Sequence, residues 1–169
     1  MKIAGLDRDL EKFPVRDDVV VVSPDLGSVT RARDFAAKLD VPIAIIDKRR
    51  PKANVMEVMS IIGDVKGKRC LMVDDMIDTA GTICQGAQAL INNGAKEVYA
   101  CCTHGVLSGP AMKRLTESPI KEIAVLDTID IPEEIKNNPK IKVLSSAKLI
   151  ARAISMVFAD TSLSAIYED

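Results

Sequence analysis

The sequence predicts an α/β fold in which a mainly parallel, twisted sheet is flanked by helices on both faces. Two observations predict it. Short apolar runs rich in Val and Ile alternate with segments in which apolar residues recur at helical spacing. In addition, no linker rich in Pro, Ser or Gly, no repeat and no low-complexity segment divides the 169 residues. We therefore expect a single domain over residues 1–169.

Six apolar runs predict the strands of this sheet. The first, Val19 to Ser23, is almost continuously apolar, which is typical of a parallel strand that is buried on both faces. The remaining runs have the same character and are separated by helical or polar segments. The predicted strands are Val19 to Ser23, Pro42 to Asp47, Glu57 to Ile62, Arg69 to Asp74, Glu97 to Thr103 and Glu122 to Asp127.

Three segments predict helices between and after the strands, because their apolar residues recur every three or four positions. Gly94 follows the second helical pattern and predicts its end. Residues 131–140 predict a polar surface connection with a short helix, and Met1 to Pro14 are compatible with a short helix under the sheet. The main predicted helices are 29–39, 80–91 and 147–158.

The composition excludes several functional classes. With 47% hydrophobic and 28% charged residues, the chain fits a soluble domain. Its net charge of −1, with three Phe, two Tyr and no Trp, argues against general nucleic-acid binding. No apolar run approaches the roughly 20 residues of a membrane span, and the first residues carry acidic side chains. We expect a cytoplasmic protein that binds neither membrane nor nucleic acid.

The four cysteines predict buried, reduced thiols. Cys70, Cys84, Cys101 and Cys102 lack the paired C-x-x-C spacing of a zinc site. Because neighbouring residues of a strand point to opposite faces, Cys101 and Cys102 cannot act together as ligands.

The segment from Cys70 to Thr82 predicts a site for a phosphorylated sugar. Its apolar strand is followed by Asp74 and Asp75, whose carboxylates can accept hydrogen bonds from neighbouring hydroxyl groups. The carboxyl end of a parallel strand is where open α/β sheets bind ligands. Thr79 to Thr82 then place hydroxyl groups and unhindered N–H groups at the start of a helix, which favours phosphate.

A second charged segment follows the predicted strand that ends at Asp47. Lys48, Arg49 and Arg50 lie before Pro51, which disfavours continuation as helix, so we expect a basic loop that clamps an anion. The only histidine, His104, lies just past a predicted strand. No nucleophile motif accompanies it, so an orienting or structural role is favoured over that of a general base.

Five segments together resemble the carboxyl-terminal half of the bacterial ribose-phosphate pyrophosphokinases, also called phosphoribosyl pyrophosphate (PRPP) synthetases. The similarity extends in order from about Asp18 to Tyr167, and it implies a type I phosphoribosyltransferase-like fold. It also implies that this chain is the ribose-5-phosphate half and that the amino-terminal half is absent. The five segments are 73–82, 23–33, 45–51, 62–64 and 103–109.

The resemblance implies a role for each candidate residue. Lys48 and Arg50 would be catalytic residues of a mobile loop, and Asp25 would bind Mg²⁺. Asp74 and Asp75 would bind the ribose hydroxyl groups. Arg50 would also bind ribose 5-phosphate, together with the phosphate loop formed by Asp78, Thr79, Ala80, Gly81 and Thr82. The family's last residues form part of a regulatory nucleotide site, for which Ser162, Leu163 and Ser164 are the candidates.

The implied reaction is transfer of pyrophosphate from ATP to ribose 5-phosphate, which makes PRPP for nucleotide biosynthesis. Because ATP would be bound mainly by the other half, we expect little or no activity from this chain alone. The family forms homo-oligomers, and a separate amino-terminal half is a further expected partner. Two alternatives remain open: a non-catalytic ribose-phosphate-binding or regulatory subunit, and a phosphoribosyltransferase that uses PRPP.

Two residues depart from the family pattern. Ser28 stands where the family usually has Gly, and Gly105 stands where it usually has Pro. The first change brings a Cβ and a hydroxyl group close to the expected ligand, and the second is expected to loosen the loop after His104.

Overall fold

The computed structural model describes residues 18–49 and 58–168. Within these ranges seven strands and six helices follow one another in the chain. The strands are β1 (Val19–Ser23), β2 (Ile43–Arg49), β3 (Val58–Ile62), β4 (Arg69–Ile77), β5 (Glu97–Gly105), β6 (Ile120–Leu126) and β7 (Ile141–Leu144). The helices are α1 (Val29–Leu39), α2 (Gly81–Asn92), α3 (Ala111–Glu117), α4 (Glu133–Lys136), α5 (Ala147–Phe158) and α6 (Ala165–Glu168).

The strands of the described residues form one sheet in the order β3-β2-β1-β4-β5-β6-β7. All neighbouring strands run parallel except β2 and β3, which pair antiparallel. The chain moves from β1 outward to β2 and β3, and then returns to the other side of β1 to form β4. The order therefore reverses between β1 and β4. The predicted fold class is confirmed.

Helices cover both faces of the sheet, and alternate strand residues pack against them. Leu71, Val73 and Cys101 belong to the core on the side of α1. Met72 and Cys102 belong to the larger core on the other side, with α2, α3 and α4. Cys101 and Cys102 thus point to opposite faces, as predicted.

The thiols of the buried cysteines are free and unreactive. Cys70, Cys101 and Cys102 are buried, and Cys84 is half-buried. Burial raises the pKa of the Cys70 and Cys102 thiols to about 12, so both are protonated at neutral pH. This agrees with the prediction of reduced core thiols.

Three strands extend further at their carboxyl ends than predicted, which changes the position of several candidate residues. β2 continues to Arg49 because Lys48 and Arg49 pair with Met59 and Val58 of β3. The prediction that Lys48 lies in a loop is therefore wrong. β4 continues to Ile77 and β5 to Gly105, so the carboxylate pair and His104 lie within the last residues of strands and not after them.

Gly105 does not lie in a loosened loop but is buried in β5 beside Ile77 of β4. A Cβ at this position would lie 3.2 Å from Cβ of Val125. The sequence patterns do not predict β7, α3 or α6. The helix expected for Met1 to Pro14 lies outside the described residues.

Helix α5 has the predicted bounds but packs loosely. None of its residues is buried, and the side chains of Val157 and Phe158 are 63% and 88% exposed. Asp127, at the end of β6, accepts hydrogen bonds from the N–H and hydroxyl groups of Ser146, both at 2.6 Å, and so fixes the start of the helix. No helix within residues 18–49 and 58–168 is both long and apolar enough to span a membrane.

Gly63 offers a test of the packing between β3 and β2. It has φ +112°, and a Cβ there would lie 3.0 Å from the Cα of Ala44. We expect Gly63→Ala to lower the free energy of unfolding by about 2 kcal/mol or more, because backbone strain and a clash add together. Urea denaturation followed by circular dichroism measures this.

Gly67→Ala is the matched control. Gly67 also has a positive φ, +72°, but a Cβ there would meet nothing within 4 Å. The left-handed backbone alone costs about 1 kcal/mol. Equal losses in the two variants would contradict the proposed clash with Ala44.

Candidate functional site

The candidate site lies at the carboxyl ends of β1 and β4, where the strand order reverses. The two strands are hydrogen-bonded neighbours in parallel, with Val22 opposite Met72. Their carboxyl ends therefore lie at the same edge of the sheet. The loop that follows β1 and the segment that ends β4 meet there, which is the position at which α/β sheets of this kind bind ligands.

The loop after β1 is ordered by its own hydrogen bonds. The Ser23 hydroxyl donates to the carbonyl oxygen of Asp25 (2.6 Å), and the Ser28 N–H donates to Oδ1 of Asp25 (2.8 Å). Ser28 has φ −91° and ψ 3°, so its Cβ causes no backbone strain. Its buried hydroxyl donates to Oδ1 of Asp74 (3.1 Å). Ser28 therefore links the Asp25 loop to β4.

Asp74 and Asp75 share a cationic partner that no sequence pattern singles out. Arg31, in the first turns of α1, donates from Nη1 to Asp74 (3.4 Å) and from Nη2 to Asp75 (3.2 Å). The backbone N–H groups of Asp75 and Met76 also donate to these carboxylates, at 2.9 and 2.8 Å. Arg31 lies within one of the resembling segments, but only the fold brings it to the two carboxylates.

The environments of the two carboxyl groups separate their pKa values. Burial raises the pKa of Asp74, although hydrogen bonds from the Asp75 N–H and the Ser28 hydroxyl partly oppose this. Burial acts in the same direction on Asp75, but the Arg31 charge and the Met76 N–H outweigh it and lower the pKa of Asp75. On acidification Asp74 therefore takes up a proton first.

The turn between β4 and α2 exposes N–H groups for an anion. Ala80 has φ +59°, and Gly81 begins the helix without a side-chain hydrogen bond to cap it. The first N–H groups of a helix have no partner within the helix. Together with the positive end of the helix dipole, they form a favourable seat for phosphate.

A cleft of about 190 Å³ joins these elements. Asp25 and Asp74 line one part of it, and the turn residues line the other. A second cavity of about 240 Å³ lies on the α1 side of Asp74 and is lined in part by Arg31, Phe35 and Lys38. The structure thus brings most of the predicted site residues together: Asp25, Asp74, Asp78, Thr79, Ala80, Gly81 and Thr82.

The Asp78 carboxylate is held by its neighbours. Oδ1 of Asp78 accepts a short hydrogen bond from the Ser108 hydroxyl. The backbone carbonyl oxygen of Asp78 accepts a second one from the Ser108 N–H (3.1 Å). Because a carboxylate would repel a phosphate, these contacts favour a role for Asp78 in fixing the geometry of the turn.

The remaining candidates lie outside the cleft or outside the described residues. Lys48 lies on β2 at the same edge of the sheet, two strands from β4, which is about 10 Å at ordinary strand spacing. Arg50 lies outside the described residues. Ser162, Leu163 and Ser164 form an exposed turn between α5 and α6, where the Ser164 N–H donates to the Ser162 hydroxyl (3.2 Å).

His104 takes part in a hydrogen-bond chain that orients its ring. The Thr128 hydroxyl donates to the carbonyl oxygen of Thr103 (3.0 Å), and the same hydroxyl oxygen lies 2.8 Å from Nδ1 of His104. Because the hydroxyl proton is already used, Nδ1 is the donor in this contact. This geometry is consistent with an orienting or structural histidine.

Comparison with known proteins agrees with the resemblance seen in the motifs. Residues 48–168 match the family described as the phosphoribosyl synthetase-associated domain. The chain belongs to this family. Among curated relatives, the ribose-phosphate pyrophosphokinase of Caldanaerobacter subterraneus subsp. tengcongensis is 66% identical over 151 residues, which are 89% of this chain and 48% of that protein.

The ribose-phosphate pyrophosphokinase of Clostridium tetani is 63% identical over 156 residues, which are 92% of this chain and 48% of that protein. The chain therefore spans about half the length of the curated relatives it matches. The resemblance to ribose-phosphate pyrophosphokinases is confirmed.

Solved structures show the same fold. The crystal structure of phosphoribosylpyrophosphate synthetase from Mycobacterium smegmatis has a TM-score of 0.83 and 42% identity, over 94% of this chain and 51% of that chain. An adenine phosphoribosyltransferase structure, with a TM-score of 0.54 and 19% identity over 70% of this chain and 75% of that chain, shares the fold alone.

The hydrogen bond from Ser28 to Asp74 leads to a first prediction for the site. We expect Ser28→Ala to raise the pKa of Asp74, because the hydroxyl group stabilises the ionised carboxylate. NMR titration of the Asp74 carboxyl carbon measures this. An unchanged pKa would contradict a role for Ser28 in holding the carboxylate.

Asp74→Asn is expected to stabilise the fold at pH 7. The pKa of Asp74 is raised in the folded chain above its ordinary value of 3.8, so folding takes up protons between the two values. Wild-type stability therefore rises as the pH falls through the raised value and levels off below 3.8. The difference in free energy of unfolding between Asp74→Asn and the wild type should therefore become smaller over the same pH range.

Thermal unfolding of both proteins between pH 7 and pH 3.5 measures this difference. Asp130→Asn, which removes an exposed carboxylate outside the site, is the control for loss of an aspartate. A lower stability of Asp74→Asn at pH 7 would show that the ion pair with Arg31 outweighs burial.

Proposed function

We propose that this chain supplies the ribose 5-phosphate site of a ribose-phosphate pyrophosphokinase. Such an enzyme transfers pyrophosphate from ATP to ribose 5-phosphate and makes PRPP for nucleotide biosynthesis. The observation that carries the proposal is the cleft lined both by Asp74 and by the start of α2, which has no side-chain cap. The carboxylates of Asp74 and Asp75 accept hydrogen bonds from two neighbouring ribose hydroxyl groups, while the turn binds the 5-phosphate.

The turn from Asp78 to Thr82 binds the phosphate through backbone N–H groups and through the exposed hydroxyl groups of Thr79 and Thr82. Such donors neutralise an anion without a net charge of their own. This agrees with the near-neutral charge of the chain, because attraction for phosphate is then local.

The donor atoms of the cleft fit a magnesium ion. Asp25 and Asp74 both line the cleft, and Mg²⁺ prefers carboxylate oxygens as ligands. In residues 18–49 and 58–168 no group of three or more acidic, His or Cys side chains is placed to hold a metal. Mg²⁺ commonly uses one or two carboxylates with water and substrate phosphates, so Asp25 would hold it in this way. Bound Mg²⁺ supplies positive charge for the phosphates.

Lys48 and Arg50 are proposed as the catalytic cations. Transfer of a phosphoryl-type group depends mainly on positioning and on neutralising charge that develops during the reaction. Lys48 lies near the carboxyl end of β2, at the same edge of the sheet as the cleft, which supports this role. The role of Arg50 rests on the resemblance alone.

The complete reaction is proposed for an assembly and not for this chain alone. The curated relatives are about twice as long as the matched segment, so the ATP site is expected to need residues from another half. The exposed apolar side chains of α5 are compatible with a covering partner or with a homo-oligomer. The regulatory role of Ser162, Leu163 and Ser164 and the cytoplasmic location stay predictions.

The two alternative functions are less well supported. A phosphoribosyltransferase that uses PRPP would share the fold and the turn that binds phosphate. The curated relatives at 63% and 66% identity, however, are named ribose-phosphate pyrophosphokinase. A purely regulatory subunit would have no need of Lys48.

Ribose 5-phosphate binding tests the proposed site directly. We expect the 169-residue chain to bind ribose 5-phosphate, and Asp74→Asn to weaken binding by about tenfold or more, because a charged acceptor of a hydroxyl group is lost. Isothermal titration calorimetry at fixed Mg²⁺ measures both affinities. Asp130→Asn, outside the cleft, should bind like the wild type. Equal affinity for Asp74→Asn would remove Asp74 from the site.

Lys48→Ala tests the catalytic assignment. In an enzyme reconstituted from this chain and the remaining half of a curated relative, we expect kcat to fall by about a hundredfold, as for loss of a group that stabilises developing charge. The affinity for ribose 5-phosphate should change little. An unchanged kcat would refute the role of Lys48, and Lys38→Ala on α1 controls for loss of a cation.

A further inference from the structure

The turn that precedes α2 is hydrogen-bonded to the segment that follows β5. The Leu107 N–H donates to the carbonyl oxygen of Ile77 (3.0 Å), and the Ser108 N–H donates to that of Asp78 (3.1 Å). Ser108 also binds the Asp78 side chain through its hydroxyl group. The two loops are therefore joined by consecutive hydrogen bonds and are expected to move as one body.

Arg114 on α3 adds a cation to this contact. Its Nη1 donates to the carbonyl oxygen of Thr79 (2.9 Å) and lies 3.4 Å from the place where a Cβ of Gly81 would stand. No carboxylate within residues 18–49 and 58–168 forms an ion pair with Arg114. Beside the start of α2, its guanidinium therefore has no carboxylate at ion-pair distance among the described residues.

These contacts determine where the N–H groups of the turn point. In a trans peptide the C=O and the following N–H point in opposite directions, and no described peptide is cis. Ser108 holds the Asp78 carbonyl, so the Thr79 N–H points away from the β5 loop. Arg114 holds the Thr79 carbonyl, so the Ala80 N–H points away from α3.

The cleft lies on the side to which these N–H groups are turned. Thr79 and Ala80 both line it, whereas Ser108 and Arg114 do not. If the Thr79 peptide rotated, its carbonyl oxygen would face the bound anion and repel it. The positive φ of Ala80, +59°, also needs support from outside the turn, because it is unfavourable for a residue with a Cβ.

We propose that Arg114, acting with Ser108, is a positioning residue of the phosphate site, which orients the Thr79 and Ala80 N–H groups toward the ligand's phosphate and places a positive charge behind them. The proposal rests on the proposed function, because it specifies how the 5-phosphate is held. It assigns to α3 a part in binding, although no residue of α3 touches the cleft.

Four variants of the full chain test the proposal. Arg114→Ala removes both the hydrogen bond and the charge, Arg114→Gln keeps a donor without the charge, and Arg114→Lys keeps both in another shape. Lys113→Ala is the matched control, since this neighbouring residue is also an exposed cation on α3. The probes are ribose 5-phosphate, measured by calorimetry, and inorganic phosphate, followed through the amide signals of Thr79 and Ala80 by NMR.

We expect Arg114→Ala to weaken ribose 5-phosphate binding by about fivefold to tenfold, the usual effect of losing one such hydrogen bond. The amide shifts of Thr79 and Ala80 on phosphate addition should shrink in the same variant. Arg114→Lys should restore most of the affinity, Arg114→Gln should restore part of it, and Lys113→Ala should match the wild type.

Melting temperatures separate positioning from stability. If Arg114→Ala melts earlier but binds both probes as the wild type does, Arg114 is only a structural contact and the proposal fails. If Arg114→Ala does not fold, the proposal fails when Arg114→Gln and Arg114→Lys bind equally and leave the amide shifts unchanged. If the wild type itself does not bind ribose 5-phosphate, the proposed function fails, which is a distinct result.

Discussion

The parallel pairing of β1 with β4 is the constraint on which the site depends. The strand order reverses between these two strands, so no crossover helix fills the space beyond their carboxyl ends. At the opposite edge, the Arg69 guanidinium forms an ion pair with Asp18, in which Nε lies 3.1 Å from each carboxylate oxygen. The backbone N–H of Arg69 also donates to the carbonyl oxygen of Asp18 (2.7 Å). This pair aligns the starts of the two strands. Because the register is then fixed along their length, the Asp25 loop and the turn of residues 78–82 are brought to one edge of the sheet.

The site uses local compensation of charge instead of a general positive field. The chain has a net charge of −1, and the two adjacent carboxylates at the end of β4 are stabilised by one guanidinium, one hydroxyl and two backbone N–H groups. Burial of the Asp74 carboxylate still costs free energy, and this raises the pKa of Asp74. Stability is thus reduced at the place where ligand hydroxyl groups would supply the missing partners, which is typical of binding sites. The hydrogen bond from the Ser28 hydroxyl moderates this cost.

Much of this arrangement could be predicted from sequence, and the failures have physical reasons. The strand cores and the bounds of α5 follow from apolar periodicity, and the carboxylate pair with its small-residue turn predicts where the cleft lies. The ends of β2 and β4 do not follow, because Lys48 is a polar residue kept in β2 by pairing with β3, and Met76 and Ile77 pair with β5 beyond the two carboxylates. β7 and α3 are too short for periodicity to detect. The contacts of Arg31 and Arg114 join residues 35 or more positions from their partners, so only the tertiary fold selects them from other surface cations.

The opposite orientation of Cys101 and Cys102 has a consequence for how opening of the sheet can be observed. Cys101 lies beneath the α1 layer, and Cys102 lies beneath the layer of α2 and α3. A buried thiol reacts with an alkylating reagent only when the structure above it opens, so the modification rate reports the free energy of that opening. Two residues that are adjacent in the chain thus carry separate information about the two layers. Local unfolding of the helix that carries Arg31 is in this way chemically distinguishable from unfolding of the side that carries Arg114.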